Sequence, residues 1–225
     1  MQSIDLEKTT LRELNSSLQA EKAGAEWTVL NPNGCHALAV GLVEPVSVTI
    51  EGHAGYYAAG MNQKATVVIN GNAGQGVAEN MMSGSVHVKG SASMSAGATA
   101  HGGLLVIDGD AGARCGISMK GVDIVVRGSV GHMSAFMAQS GNLVVCGNAG
   151  EALGDSLYET RIFVRGEVKS TGADCEQKEM TDEDRNILSA LLQKAGVTEY
   201  TVDDFRRYGS ARKLYHFNVD NASAY

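Results

Sequence analysis

At 225 residues the chain has room for one large domain with appendages, and a hydrophobic content of 44% argues against a disordered polypeptide. A net charge of −7, from 18 basic and 25 acidic side chains, gives no electrostatic reason to seek nucleic acid or anionic lipid. The four cysteines make no CxxC pair, which disfavours a zinc knuckle or redox dithiol; the polar start MQSIDLEKTT and the lack of a membrane-length apolar run point to a cytoplasmic protein with reduced thiols.

Residues 1–45 read as an N-terminal cap. Thr10-x-x-Glu13 has the form of a capping box, and Leu11, Leu14 and Leu18 recur at helical spacing, predicting a helix over Leu11–Gln19. Residues 27–30 and 37–40 read as short strands on either side of the turn Asn31-Pro32-Asn33-Gly34. Their apolar side chains would cover the open first coil of the array that follows.

Residues 46–173 carry a repeat. Gly52, Gly71, Gly90, Gly109, Gly128, Gly147 and Gly166 are spaced by nineteen residues without an insertion. Aliphatic residues stand two and four places before each glycine, as in Val67 and Ile69, and a small residue stands two places after it, as in Ala73. The aliphatic pair shares one face of a strand, and the glycine, free to take positive φ, ends it. Nineteen residues hold two or three short strands and their corners but no crossover helix. The reading is therefore a right-handed, single-stranded parallel β-helix of about seven 19-residue coils. The position three before each glycine is also apolar in Val106, Val125, Val144 and Phe163, so that row should be covered, by a partner or by the C-terminal tail. The second half of each coil looks less regular.

Residues 174–225 read as C-terminal helices and a tail. Thr181-x-x-Asp184 starts a second capping box, and Ile187, Leu188, Leu191 and Leu192 make an apolar stripe ending at Gly196. Thr201-x-x-Asp204 should open another short helix through Tyr208. Residues 210–225, with Arg212, Lys213, Tyr215, His216, Phe217 and Tyr225, read as a tail wrapping the array or a partner.

The glycines tempt a phosphate-loop reading, as in Gly71-x-x-Gly74-x-Gly76. No helix follows them and no Gly-Lys-Ser/Thr is present, so they read as structural. The histidines (His36, His53, His87, His101, His132, His216) show no i, i+4 pair, and Cys115 and Cys146 read as small buried thiols. Asn62, Glu79, Asn80 and Arg114 are candidate polar linings or contacts. Met61, Met81, Met82, Met119 and Met137 fall in the second halves of their coils, as core filling first and adaptable interface second. A carbohydrate-cleaving β-helix would need a carboxylate pair. The position before each glycine offers none: Glu51, Asn70, Lys89, Asp108, Arg127, Cys146, Arg165. No catalytic, cofactor-binding or metal-ligating residue is assigned, and the chain reads as a structural or interaction module.

The recurring Gly-x-Ala-Gly resembles the GXGXG β-helix domain of the glutamate synthase large subunit, which also looks like one subunit of formylmethanofuran dehydrogenase. More closely, His53-Ala-Gly-Tyr-Tyr-Ala-Ala-Gly-Met61, Gly76-Val-Ala-Glu-Asn-Met-Met-Ser-Gly84, Ala113-Arg-Cys-Gly-Ile-Ser-Met-Lys-Gly121 and Tyr208-Gly-Ser-Ala-Arg-Lys-Leu-Tyr-His216 resemble the β-helix subunit of bacterial N-methylglutamate synthases. That resemblance implies a spacer between an amidotransferase-like subunit and a flavin (FMN) and iron–sulfur synthase subunit. It also implies a complex that converts methylamine and L-glutamate to N-methyl-L-glutamate with release of ammonia. It places no cofactor on this chain. The same scaffold in an ordinary glutamate synthase or a formylmethanofuran dehydrogenase is the alternative.

Overall fold

The computed structural model describes residues 2–213. Two strands and a helix precede the repeat: β1 (Gln2–Asp5), α1 (Leu11–Gln19) and β2 (Glu26–Leu30). The coils then contribute β3 (Ser47–Glu51), β4 (Thr66–Ile69), β5 (Ser85–Val88), β6 (Leu104–Ile107), β7 (Lys120–Val126), β8 (Ser140–Val145) and β9 (Arg161–Val164). After them come β10 (Cys175–Lys178), α2 (Asp182–Lys194) and β11 (Arg206–Ser210). Among the described residues these eleven strands form one sheet, parallel from β1 to β9 and closed by antiparallel β11 and β10.

The register follows the glycine period. Val48 lies beside Val67, Val86, Leu105, Ile124, Leu143 and Ile162, and Ile50 begins the parallel row two residues on. Both rows are buried. A second ladder runs through Ala54, Ala73, Ala92, Ala111, Val130, Ala149 and Val168. The expected parallel β-solenoid of about seven turns is the observed fold.

The glycine column works differently from the expectation. Of the seven, Gly52 alone takes a left-handed φ, +135°. The others are needed because the coils touch there. An added Cβ would lie 2.6 Å from Gly52 C at Gly71, 2.7 Å from Gly109 O at Gly128 and 2.6 Å from Gly128 C at Gly147. Each glycine amide from Gly90 onward donates to the glycine carbonyl one coil back, at 2.8–3.0 Å. Only hydrogen fits between backbones that close.

The second halves of the coils are regular too. In the six coils from Gly52 to Gly147, the residues five, seven and nine after the glycine are left-handed: Tyr57, Ala59 and Met61 (φ 61°, 54°, 55°), or Ser95, Gly97 and Thr99 (61°, 66°, 53°). Their amides bond alternately forward and back. Tyr57 N donates to Gln75 O, Ala78 N to Ala58 O and Met61 N to Glu79 O, each within 2.9 Å. Inter-coil bonding of this kind offsets the cost of left-handed backbone in non-glycine residues.

This also corrects residues 37–40. They are not a strand: Ala37, Ala39 and Gly41 are left-handed (φ 53°, 54°, 67°), so the segment is the second half of one more coil. Its alternating apolar pattern mimics strand period. The helix α1 sits on it, with Asn15 Nδ2 donating to Ala37 O (2.8 Å) and Gln19 Nε2 to Val40 O (2.9 Å). Leu14 and Leu18 complete the solenoid core at that end.

At the other end α2 covers the outer apolar row. Val106, Val125, Val144 and Phe163 pack with Leu188, Leu191, Leu192, Val197 and Phe205 in a core separate from the solenoid interior. The row is covered, and the described cover is this helix and the segment after it. The helix is bounded as its sequence directs: Thr181 caps the first turn, and Gly196 (φ +68°) lets Val197 N reach Leu192 O at 2.9 Å. Each leucine buried here stabilises by about 1.5–3 kcal/mol. The second expected C-terminal helix is a single 3-10 turn, Val202–Asp204. Arg206–Ser210 then pairs with β9 and β10 as strand β11, because the last coil needs an edge partner. Of the expected tail, Tyr215, His216, Phe217 and Tyr225 lie outside the described residues.

Candidate functional site

The residue after each column glycine was not singled out in the sequence, yet it builds a continuous device. Asn72 N donates to His53 Nδ1 (2.9 Å), Ser91 N to Asn72 Oδ1 (2.9 Å) and Asp110 N to Ser91 Oγ (3.1 Å). Ser129 N then donates to Asp110 Oδ1 (2.7 Å), Asn148 N to Ser129 Oγ (3.0 Å) and Glu167 N to Asn148 Oδ1 (2.8 Å). Every link needs a short side-chain acceptor, and the column supplies them. These polar groups are occupied in joining coils, so the corner is a fastening.

The outer charged face is likewise engaged. Asn70 Nδ2 donates to Glu51 (3.1 Å). Asp108 is contacted by His87 Nε2 at 2.9 Å, Lys89 Nζ at 3.6 Å and Arg127 at 3.8 Å. Arg127 also binds Glu199 at 2.9 Å, and Arg165 lies over the Tyr200 ring at 4.3 Å, so the face runs into the C-terminal segment. An open hollow of about 400 Å³ lies between Ser129, Asn148, Glu167 and Lys169. It offers one carboxylate where glycosidic cleavage requires two. A smaller one, of about 190 Å³, is lined by Glu159, Thr160, Lys178, Arg207 and Arg212. Glu159 there accepts two bonds of 2.8 Å from Arg212.

The structure separates the candidate polar residues. Asn62 is fully buried and closes its own turn, with Nδ2 donating to Ala65 O (2.8 Å) and Oδ1 accepting from Ala65 N (3.0 Å). Arg114 is an exposed left-handed residue. Glu79 and Asn80 remain together with Tyr57 and Thr99: Thr99 Oγ1 donates to Asn80 Oδ1 at 2.6 Å, and Asn80 Nδ2 reaches the Tyr57 hydroxyl at 3.4 Å. Burial raises the Glu79 carboxyl above its ordinary range.

The methionines divide. Met81 and Met119 are core, whereas Met61 (47%), Met82 (48%) and Met137 (43%) are exposed, as is Met94. Tyr56, at 58%, and Tyr158 join them, so among the described residues six of the eight exposed large hydrophobics lie in second halves of coils. Cys115, Cys146 and Cys175 are buried, and burial pushes their thiols up to about 12, 11 and 12. His36 stacks on Tyr56 at 4.5 Å and takes its amide on Nδ1. Among the described residues no group of three His, Cys, Asp or Glu side chains could hold a metal ion, and no helix is long and apolar enough to cross a membrane.

Glycine-stacked coils, a polar fastening column and an apolar second-half surface define a parallel β-solenoid protein whose polar side chains mostly serve its own coils. The chain is 60% identical to Protein GlxC of Rhizobium meliloti (strain 1021), over the full length of both, and it belongs to that protein's family. No protein-family model and no solved structure matches it.

Proposed function

We propose that the chain is the scaffold subunit of a glutamate-synthase-related complex, an N-methyl-L-glutamate synthase. It would hold an amidotransferase-like subunit and an FMN and iron–sulfur subunit in fixed relation while methylamine and L-glutamate become N-methyl-L-glutamate and ammonia. The reaction and the partners come from the resemblance of the Tyr56, Met82, Cys115 and Tyr208 segments. The observation that carries the scaffold role is the concentration of exposed Met and Tyr side chains on rigid second halves of coils. Such residues are enriched at protein interfaces. A sheet of coils spaced ~4.8 Å apart would hold attached bodies at a distance set by coil count, roughly 29 Å from β3 to β9.

The test is reconstitution. The chain co-expressed with both partner subunits should co-purify with them, and N-methylglutamate formation by the mixture should fall at least tenfold when the chain is omitted. Full activity from the two partners alone, with no complex containing this chain, would overturn the proposal.

A further inference from the structure

Glu79 is a half-buried carboxylate with no hydrogen-bond or ion-pair partner among the described residues. Its Oε2 folds over Gly76, where a Cβ would lie 2.6 Å away. Burial alone raises its carboxyl, and no neighbouring charge offsets that. The partly buried Asp108 and the buried Asp184, by contrast, each have a cation beside them, Lys89 and Arg161. An anion left desolvated and unpaired is costly unless a cation arrives.

Exposed methionines lie on its own coil and on the coils before and after it. Met61 lies on the coil before, tied by its amide to Glu79 O at 2.8 Å. Met82 is on the same coil, and Met94 is on the coil after, its carbonyl taking Gly76 N at 3.0 Å. The Tyr57 ring packs against Gly60, where a Cβ would meet Cζ at 2.8 Å, and holds its hydroxyl toward Asn80. A desolvated anion beside an aromatic ring and exposed thioethers is complementary to one kind of group: a cationic side chain flanked by apolar ones. The coil-to-coil hydrogen bonds fix this surface before binding, so little ordering entropy is lost.

We propose that the surface formed by Tyr56, Met61, Met82 and Met94 docks a protein segment whose arginine or lysine seats on Glu79. This rests on the scaffold reading and names the face of the solenoid that one partner subunit occupies. The group received is a guanidinium or ammonium, and the contact is charge-selective.

The experiment uses the full complex with Glu79→Lys, Glu79→Gln and, as a charge-matched control, Glu7→Lys, each first checked for an unchanged melting temperature of the free chain. Glu79→Lys should weaken assembly at least tenfold, Glu79→Gln several-fold, and Glu7→Lys not at all. Should Glu79→Lys fail to fold, the nearly isosteric Glu79→Gln decides. Oxidative footprinting of the unsubstituted complex should show Met61, Met82 and Met94 protected relative to the free chain. A complex that forms with these methionines still oxidised, or with both Glu79 variants binding as tightly as the control, overturns the inference and leaves the scaffold reading standing. A chain that assembles with neither partner overturns both.

Discussion

Arg161 Nε stands 3.1 Å from Oδ1 of Asp184, the buried carboxylate at the third position of α2. Arg207 Nε reaches the same oxygen at 3.2 Å, and the Thr181 amide and hydroxyl bind the other oxygen. One side chain thus caps its helix and fastens it to β9 and β11. Removing it with Asp184→Ala should loosen α2 from Val125, Val144 and Phe163. The expected loss is about 3 kcal/mol, the low end for a buried pair because both arginines stay partly exposed. Urea unfolding of wild type and variant would measure it.

The same residue sets an acid dependence. Burial raises the Asp184 carboxyl, but the Thr181 bonds, Arg207 and Arg161 outweigh it and hold the group below its ordinary 3.8. A carboxyl lowered by folding stabilises in full above its unfolded value, and that contribution fades as pH falls through the folded value. The stability gap between wild type and Asp184→Asn should therefore be constant above about pH 5 and shrink below about pH 4. Urea midpoints across that range would show it; a gap that widened in acid would contradict the clamp.

The glycine column makes a different prediction from the one its φ freedom suggests. Gly196 is left-handed with nothing within 4 Å of an added Cβ, so Gly196→Ala should cost about 1–2 kcal/mol. Gly128 has no left-handed φ, but an added Cβ would stand 2.7 Å from Gly109 O, the acceptor of its own amide. Gly128→Ala must therefore push two coils apart, with overpacking and a lost inter-coil bond together costing at least about 3 kcal/mol. Thermal denaturation of the two variants would order them. Equal losses would return the glycine to a conformational role.

The fold was legible because nineteen-residue spacing writes each core row directly into the sequence. Where spacing changes, legibility fails. Gln2 pairs with Trp27 and Glu26 with Ser47, at offsets of twenty-five and twenty-one, so β1 and the first coil were not aligned with the repeat. The alternation at Leu38 and Val40 imitated a strand because left-handed residues at every second place also give a two-residue period. The strand β11 had no local signal: Arg206–Ser210 is held by what lies beside it. The Glu79 site was visible only as residue types, since its isolation depends on what coils before and after it lack. The polar column was legible in principle, as His53, Asn72, Ser91, Asp110, Ser129, Asn148 and Glu167 each carry an acceptor.

That column has its own test. Asp110 Oδ1 accepts the Ser129 amide at 2.7 Å, and the site is exposed, so an abandoned amide can turn to water. Asp110→Ala should cost only about 0.5–1.5 kcal/mol, and Asp110→Asn, which keeps an acceptor oxygen, markedly less. Hydrogen exchange should report the Ser129 amide faster in the alanine variant alone. Equal exchange in all three would mean that the column does not fasten the coils.

The thiols give a last prediction that needs no variant. Cys115 is fully buried with its pKa pushed up to about 12, and Cys146 and Cys175 stand at about 11 and 12. Alkylation proceeds through the thiolate, so at pH 8 these three are both shielded and about a thousandfold or more short of it. Cys35 is partly exposed at the N-terminal coil. Native protein treated with iodoacetamide at pH 8 should therefore take one label, on Cys35, and all four in denaturant. Mass spectrometry of the intact chain and its peptides would count them. Native labelling at Cys146 before Cys35 would mean that α2 leaves the sheet readily, because Cys146 belongs to the core that α2 closes. The Asp184 clamp would then be weaker than its geometry indicates.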